Sequence, residues 1–119
     1  MMPRVLVGCP TYEGYRYCLK EYTGRVQTLT YPDYDVVLAD NSSGPEYGYE
    51  IKKLGPKVIK GRHLKNVYER IVESRNLLRD LMLKGNYDYF LSLEQDVIPP
   101  PNVIEQLIRH DKDVVSGIY

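Results

Sequence analysis

Apolar positions along this chain switch between two rhythms. Short unbroken runs mark buried strands: Arg4-Val5-Leu6-Val7-Gly8-Cys9 ended by Pro10, Asp35-Val36-Val37-Leu38-Ala39, a brief one around Val58-Ile59, and Tyr87-Asp88-Tyr89-Phe90-Leu91-Ser92-Leu93. Between them the spacing turns helical. Positions 15, 19, 22, 26 and 29 describe one helical face, and so do 67, 71, 78, 81 and 82 in the stretch from Asn66 to Lys84. Shorter helices are expected near Glu46 to Leu54 and Asn102 to His110, and Val114 to Tyr119 reads as a last strand. Tyr31-Pro32-Asp33 breaks the first helix, and Gly85-Asn86 ends the long one. Asn41-Ser42-Ser43-Gly44-Pro45 is turn chemistry, with Ser43 or Gly44 as helix cap and Pro45 in the first turn.

The order β-α-β-α-β-α-β-α-β predicts an α/β fold, an open and mostly parallel sheet with helices on both faces and right-handed crossovers. At 119 residues the chain is expected to form a single domain, with no repeat, low-complexity tract or linker. Ligands of such sheets bind at the carboxyl ends of the strands, where strand order reverses. Three of those ends are polar: Pro10-Thr11-Tyr12-Glu13, Asp40-Asn41-Ser42-Ser43 and Glu94-Gln95-Asp96. With strand order 3-2-1-4, all three converge on one crevice.

Composition narrows the partners. Lys plus Arg and Asp plus Glu number 16 each, so bulk charge points to neither nucleic acid nor a membrane surface. The local basic residues Lys52, Lys53, Lys57, Lys60 and Arg62 read as a solvated face. Twelve tyrosines against one phenylalanine suit sheet edges and stacking platforms alike. Cys9 and Cys18 form no CxxC, and His63 and His110 stand alone, which argues against disulfide scaffolds and zinc sites. Reduced thiols fit a cytoplasmic protein. No apolar run approaches the roughly 18 residues of a membrane span, and the Met1-Met2-Pro3-Arg4 start does not open a signal peptide.

Candidate chemistry centres on Asp96. Glu94 and Asp96, one residue apart at the end of a buried strand, are placed to hold magnesium or manganese against a phosphate. The alternative is a polar loop capping the helix after Pro99-Pro100-Pro101. In Gly8-Cys9-Pro10-Thr11-Tyr12-Glu13-Gly14, Pro10 lacks an amide hydrogen and Glu13 repels phosphate, which disfavours NAD. No GxxxxGK is present, and the acid pair of a receiver domain is missing after the first strand. What remains is a nucleotide with its base near the first two strand ends and its diphosphate neutralised by metal at the fourth. Asp40 reads equally as a contact to base or ribose and as a turn residue bonding its own backbone. Arg75, at the edge of its helix face, reads as snorkelling to solvent or reaching the sheet rim.

In order and spacing, Val5 to Glu13, Tyr31-Pro32, Val36 to Ser43, Ser74-Arg75-Asn76 and Tyr89 to Asp96 with Pro99-Pro100 resemble the nucleotide-binding half of a family-two-type glycosyltransferase of the GT-A fold. The resemblance implies that Pro10, Thr11, Tyr12 and Glu13 line the base and ribose pocket with Gln95, that Asp40 contacts the base, and that Arg75 lies near the nucleotide. It implies Glu94 beside the ribose or the metal, and Asp96 as ligand of the bridging manganese or magnesium. The implied partners are a UDP- or GDP-type sugar and an unknown acceptor hydroxyl. Here the acid triplet is Glu-Gln-Asp, where the family usually has Asp-x-Asp. The family's acceptor site and general base lie in a second half that these 119 residues do not include, so no catalytic residue is named. The rival expectation is a non-catalytic nucleotide-binding or interaction module.

Overall fold

The computed structural model describes residues 2–117. Its elements are β1 (Val5–Thr11), a 3-10 turn (Glu13–Tyr15), α1 (Arg16–Val26), β2 (Tyr34–Asp40), α2 (Glu46–Lys53), β3 (Lys57–Lys60), α3 (Val67–Lys84), β4 (Tyr89–Ser92) and α4 (Val103–Ile108). The sheet is parallel throughout, in the order β3-β2-β1-β4.

Both central strands are buried on two faces, which is why they read as continuous apolar runs. Val5, Val7 and Cys9 of β1 and Val36 and Leu38 of β2 pack with Leu19, Tyr22 and Val26 of α1, Tyr47 and Ile51 of α2, and Ile104 of α4. Leu6, Val37 and Ala39 point the other way, onto Leu78 of α3. The chain steps outward from β1 to β3 with its helices on one face. It then returns past β1 to β4 with α3 on the opposite face, as crossovers of one hand require.

Several boundaries differ from the sequence expectation. Pro45 is itself the residue before α2, and no side chain caps that helix, so neither Ser43 nor Gly44 acts as its cap. Lys60 Nζ instead gathers the Ser42 and Gly44 carbonyls, ordering the turn from β3. The long helix ends as expected at Gly85, whose amide bonds the Leu81 carbonyl, but the left-handed residue is Asn86 at φ 59°. Val67 and Ile71 are not core residues. Both are exposed, while Leu78 further along the helix lies on Leu6 of β1 and Val37 and Ala39 of β2, so the first turns of α3 extend past the packed part of the sheet. No strand forms from Val114 to Gly117; Val114 and Val115 instead line a groove beside Tyr89, Leu91 and Ile108, and Ile118 and Tyr119 lie outside the described residues. Among the described residues no helix is long and apolar enough to cross a membrane.

The amino-terminal rim is closed by a polar knot. Arg4 donates to Asp35 at 3.1 Å and lies 4.6 Å from the Tyr87 ring centre, while the Tyr87 hydroxyl donates to the same Asp35 oxygen at 2.5 Å. The Tyr87 hydrogen bond, aided by Lys57 and Arg4, holds the Asp35 carboxyl below its ordinary 3.8. Burial, then the Asp35 contact, pushes the Tyr87 hydroxyl up to about 12. A depressed carboxylate stabilises the fold above its unfolded value and loses that contribution as pH falls through its folded value. The raised tyrosine contributes below its ordinary 10 and loses its share as pH climbs toward 12. Urea midpoints should therefore fall as pH drops below about 4, and Asp35→Asn should flatten that acid limb.

Candidate functional site

Parallel pairing in one register brings the carboxyl ends of β1, β2 and β4 to a common rim: Thr11 sits opposite Asp40, and Gly8 opposite Ser92. The loops beyond are stitched together. The Asn41 amide donates to the Thr11 carbonyl at 3.0 Å, and the Leu93 amide to the Gly8 carbonyl at 3.2 Å. From α1, the Tyr22 hydroxyl donates to the Leu93 carbonyl at 2.8 Å, fixing the residue before the acid triplet. Its remaining capacity is an acceptor for the thiol of Cys9, whose burial pushes that group up to about 12. Both cysteines are free.

Above this rim lies a cavity of about 400 Å³. Pro10, Thr11, Tyr12 and Tyr15 form one wall, Val67, Arg70, Ile71 and Arg75 of α3 the other, with Asn41 and Glu94 completing the lining. The volume suits a small organic ligand. Tyr12 and Tyr15 meet edge to face, ring centres 5.4 Å apart, leaving an aromatic wall opposite two guanidinium groups.

The proposed site residues divide by position. Pro10, Thr11, Tyr12, Arg75 and Glu94 come together in the cavity. Arg75 is exposed and also reaches the sheet rim, donating to Ser92 at 3.2 Å and to Glu94 at 3.0 Å. Gln95 is buried beneath: its amide oxygen accepts from the Thr11 hydroxyl at 2.6 Å, binding the middle of the triplet to the end of β1. Glu13 is exposed and does not line the cavity; its backbone amide donates to Ser42 at 2.8 Å. Asp40 is fully buried and likewise outside the lining. Of its two oxygens, one accepts from the Ser42 amide at 2.9 Å in an Asx turn, and the other lies 3.6 Å from Lys60 Nζ. The Asx turn read for Asp40 is present.

Asp96 is exposed and makes no ion pair or hydrogen bond among the described residues. It lies toward α1: burial first, then the Asp96 charge, raises the Tyr15 hydroxyl and contributes to raising the Cys18 thiol. Among the described residues no group of three or more His, Cys, Asp or Glu side chains could hold a metal. Glu94 is already compensated by Arg75. Among the described residues this donor set does not make a cage for a cation from protein alone.

Sequence reasoning placed Asn41 at the crevice only as part of a polar strand end, and it missed Tyr15, Val67, Arg70 and Ile71. Tyr15, Val67 and Ile71 carried a helical-face signal, which was spent on the core. Arg70 had no signal of its own in the sequence.

No protein-family model matches this sequence, and no curated protein matches it. Among solved structures, the chain is similar to a CMP:2-keto-3-deoxy-manno-octonic acid synthetase in complex with CTP, at TM-score 0.60 and 17% identity. The match covers 90% of this chain but 46% of that one, so this chain spans about half its length. The likeness is one of fold: a parallel four-stranded sheet flanked by helices, of the Rossmann-like kind.

Proposed function

We propose that the chain is the nucleotide-sugar-binding domain of a glycosyltransferase. It would take a UDP- or GDP-type sugar together with manganese or magnesium and serve transfer of the sugar to an acceptor hydroxyl. The observation that carries this reading is the convergence of three strand ends on one cavity with tyrosine rings on one wall and guanidinium groups on the other. A base stacks on an aromatic face, and a phosphate pairs with a guanidinium in bidentate fashion.

Tyr12 and Tyr15 would receive the base. Glu94, oriented by Arg75, would accept from the ribose hydroxyls. Asp96, the unpaired carboxylate, would ligate the cation, with Gln95 holding the triplet to β1. A bound divalent ion supplies Lewis-acid stabilisation of a leaving diphosphate. A second reading, a binding domain for a cytidine nucleotide, draws on the fold likeness to the CTP-bound synthetase.

Thermal melting with UDP, GDP and CDP sugars and with CTP, each with and without manganese, separates the two. A true ligand at about 100 times its dissociation constant should stabilise the fold by roughly 2.7 kcal/mol. Stabilisation by a UDP or GDP sugar, increased by manganese, supports the first reading. Response to CTP alone moves the assignment to the second, and a flat panel removes both.

A further inference from the structure

Arg70 is the cation of this cavity that its surroundings leave without an acceptor. Arg75 is engaged by Glu94 and Ser92, and nearby Arg62 by Glu73 at 2.6 Å. Arg70 makes no ion pair among the described residues, and its Nε is buried with no hydrogen-bond partner. The polar atom near it is His63 Nδ1, 3.5 Å from a terminal guanidinium nitrogen. That same Nδ1 lies 2.9 Å from the Asn41 carbonyl oxygen. A carbonyl only accepts, so Nδ1 must carry the proton and donate. It then has no lone pair to offer Arg70. The guanidinium thus keeps its donors free, in a cavity where Glu94 is the one acidic lining residue among those described and already has a cation of its own.

A half-buried guanidinium without an acceptor loses water contacts and gains nothing in exchange, unless an oxyanion arrives. Among lining residues the formal charges are two positive and one negative, so the cavity as built favours an anion. Arg70 starts one turn into α3, where the helix amide dipoles add in the same sense.

We propose that Arg70 is an anchor for a phosphate group in this cavity, gripping it through paired N–H donors and without help from a divalent cation. The proposal deepens the nucleotide-sugar reading: the phosphates would be held at two points, by Arg70 on the protein and by Asp96 through the metal. Binding would therefore persist in part when metal is removed.

The test is isothermal titration of the chain with inorganic pyrophosphate in EDTA. The expected result is measurable binding by the wild type, weakened about tenfold or more in Arg70→Gln, the scale of a charge-assisted bond to phosphate. Arg79→Gln, on the same helix but outside the cavity lining, should bind as the wild type does. Arg70→Lys keeps the charge and loses the fork, so it should fall between the two and covers the case in which the glutamine variant melts early. Absence of binding by the wild type, or equal affinity in the Gln and Lys variants and the wild type, overturns the proposal. UDP and GDP titrations beside it keep the two ideas apart. Pyrophosphate binding lost in Arg70→Gln supports the anchor even where both nucleotides fail, a result that would end the nucleotide reading alone.

Discussion

Asp96→Asn should abolish the manganese-dependent part of nucleotide binding while the metal-free part survives. The substitution keeps the size of the side chain and removes the charge that a hard cation requires. Glu94 is a poor replacement, because displacing Arg75 from it would cost the existing hydrogen-bonded ion pair between them. Asp96 is exposed and unpaired among the described residues, so the fold should be unaffected, within about 0.5 kcal/mol. Calorimetric titration of the preferred nucleotide, with manganese and with EDTA, reads both parts. If the variant retains the full manganese increment, Asp96 is not the ligand.

Leu78→Ala should cost about 2–5 kcal/mol, a large share of the 5–15 kcal/mol that holds a typical domain together. Leu78 is the one fully buried apolar residue of α3 among those described, set against Leu6, Val37 and Ala39. Gly8 of β1 makes room for it: a Cβ there would come within 3.2 Å of the leucine and 2.7 Å of the Val37 carbonyl oxygen. Because α3 carries Arg70, Arg75 and the overhanging Val67 and Ile71, weaker docking of this helix loosens one whole wall of the cavity. Urea unfolding should show a lower midpoint at unchanged slope, with nucleotide affinity falling alongside. A midpoint shift worth less than about 1 kcal/mol would mean that the buried Ser74 contacts, not Leu78, secure the helix.

The sheet was legible because its signal is collective. Four or five apolar residues in a run, bounded by proline or turn residues, leave few options for β1 and β2, and alternation with helical spacing implies parallel pairing. The convergence of three polar strand ends then follows from strand order alone. Individual side chains at the rim were less legible. Asp40 stands at a strand end in the same grammar as Asp96, yet Lys60 and the Ser42 amide draw it inward. Lys60 belongs to β3, and its reach across to β2 exists only once those strands pair.

The same reasoning covers the misread segments. Val67 and Ile71 repeat with Leu78 on a helical face, but periodicity carries no information on how far a sheet extends beneath a helix. Val114 to Gly117 has strand composition, and composition does not specify a partner. Local chemistry in the chain thus determined the elements, their sequence and the rim that bears polar groups, since each depends on neighbours within a few residues. The docking of α3 decided the rest: which arginine is compensated, which carboxylate stays free and where the cavity opens. Those outcomes rest on contacts between residues far apart in the chain, whose energies no stretch of sequence contains by itself.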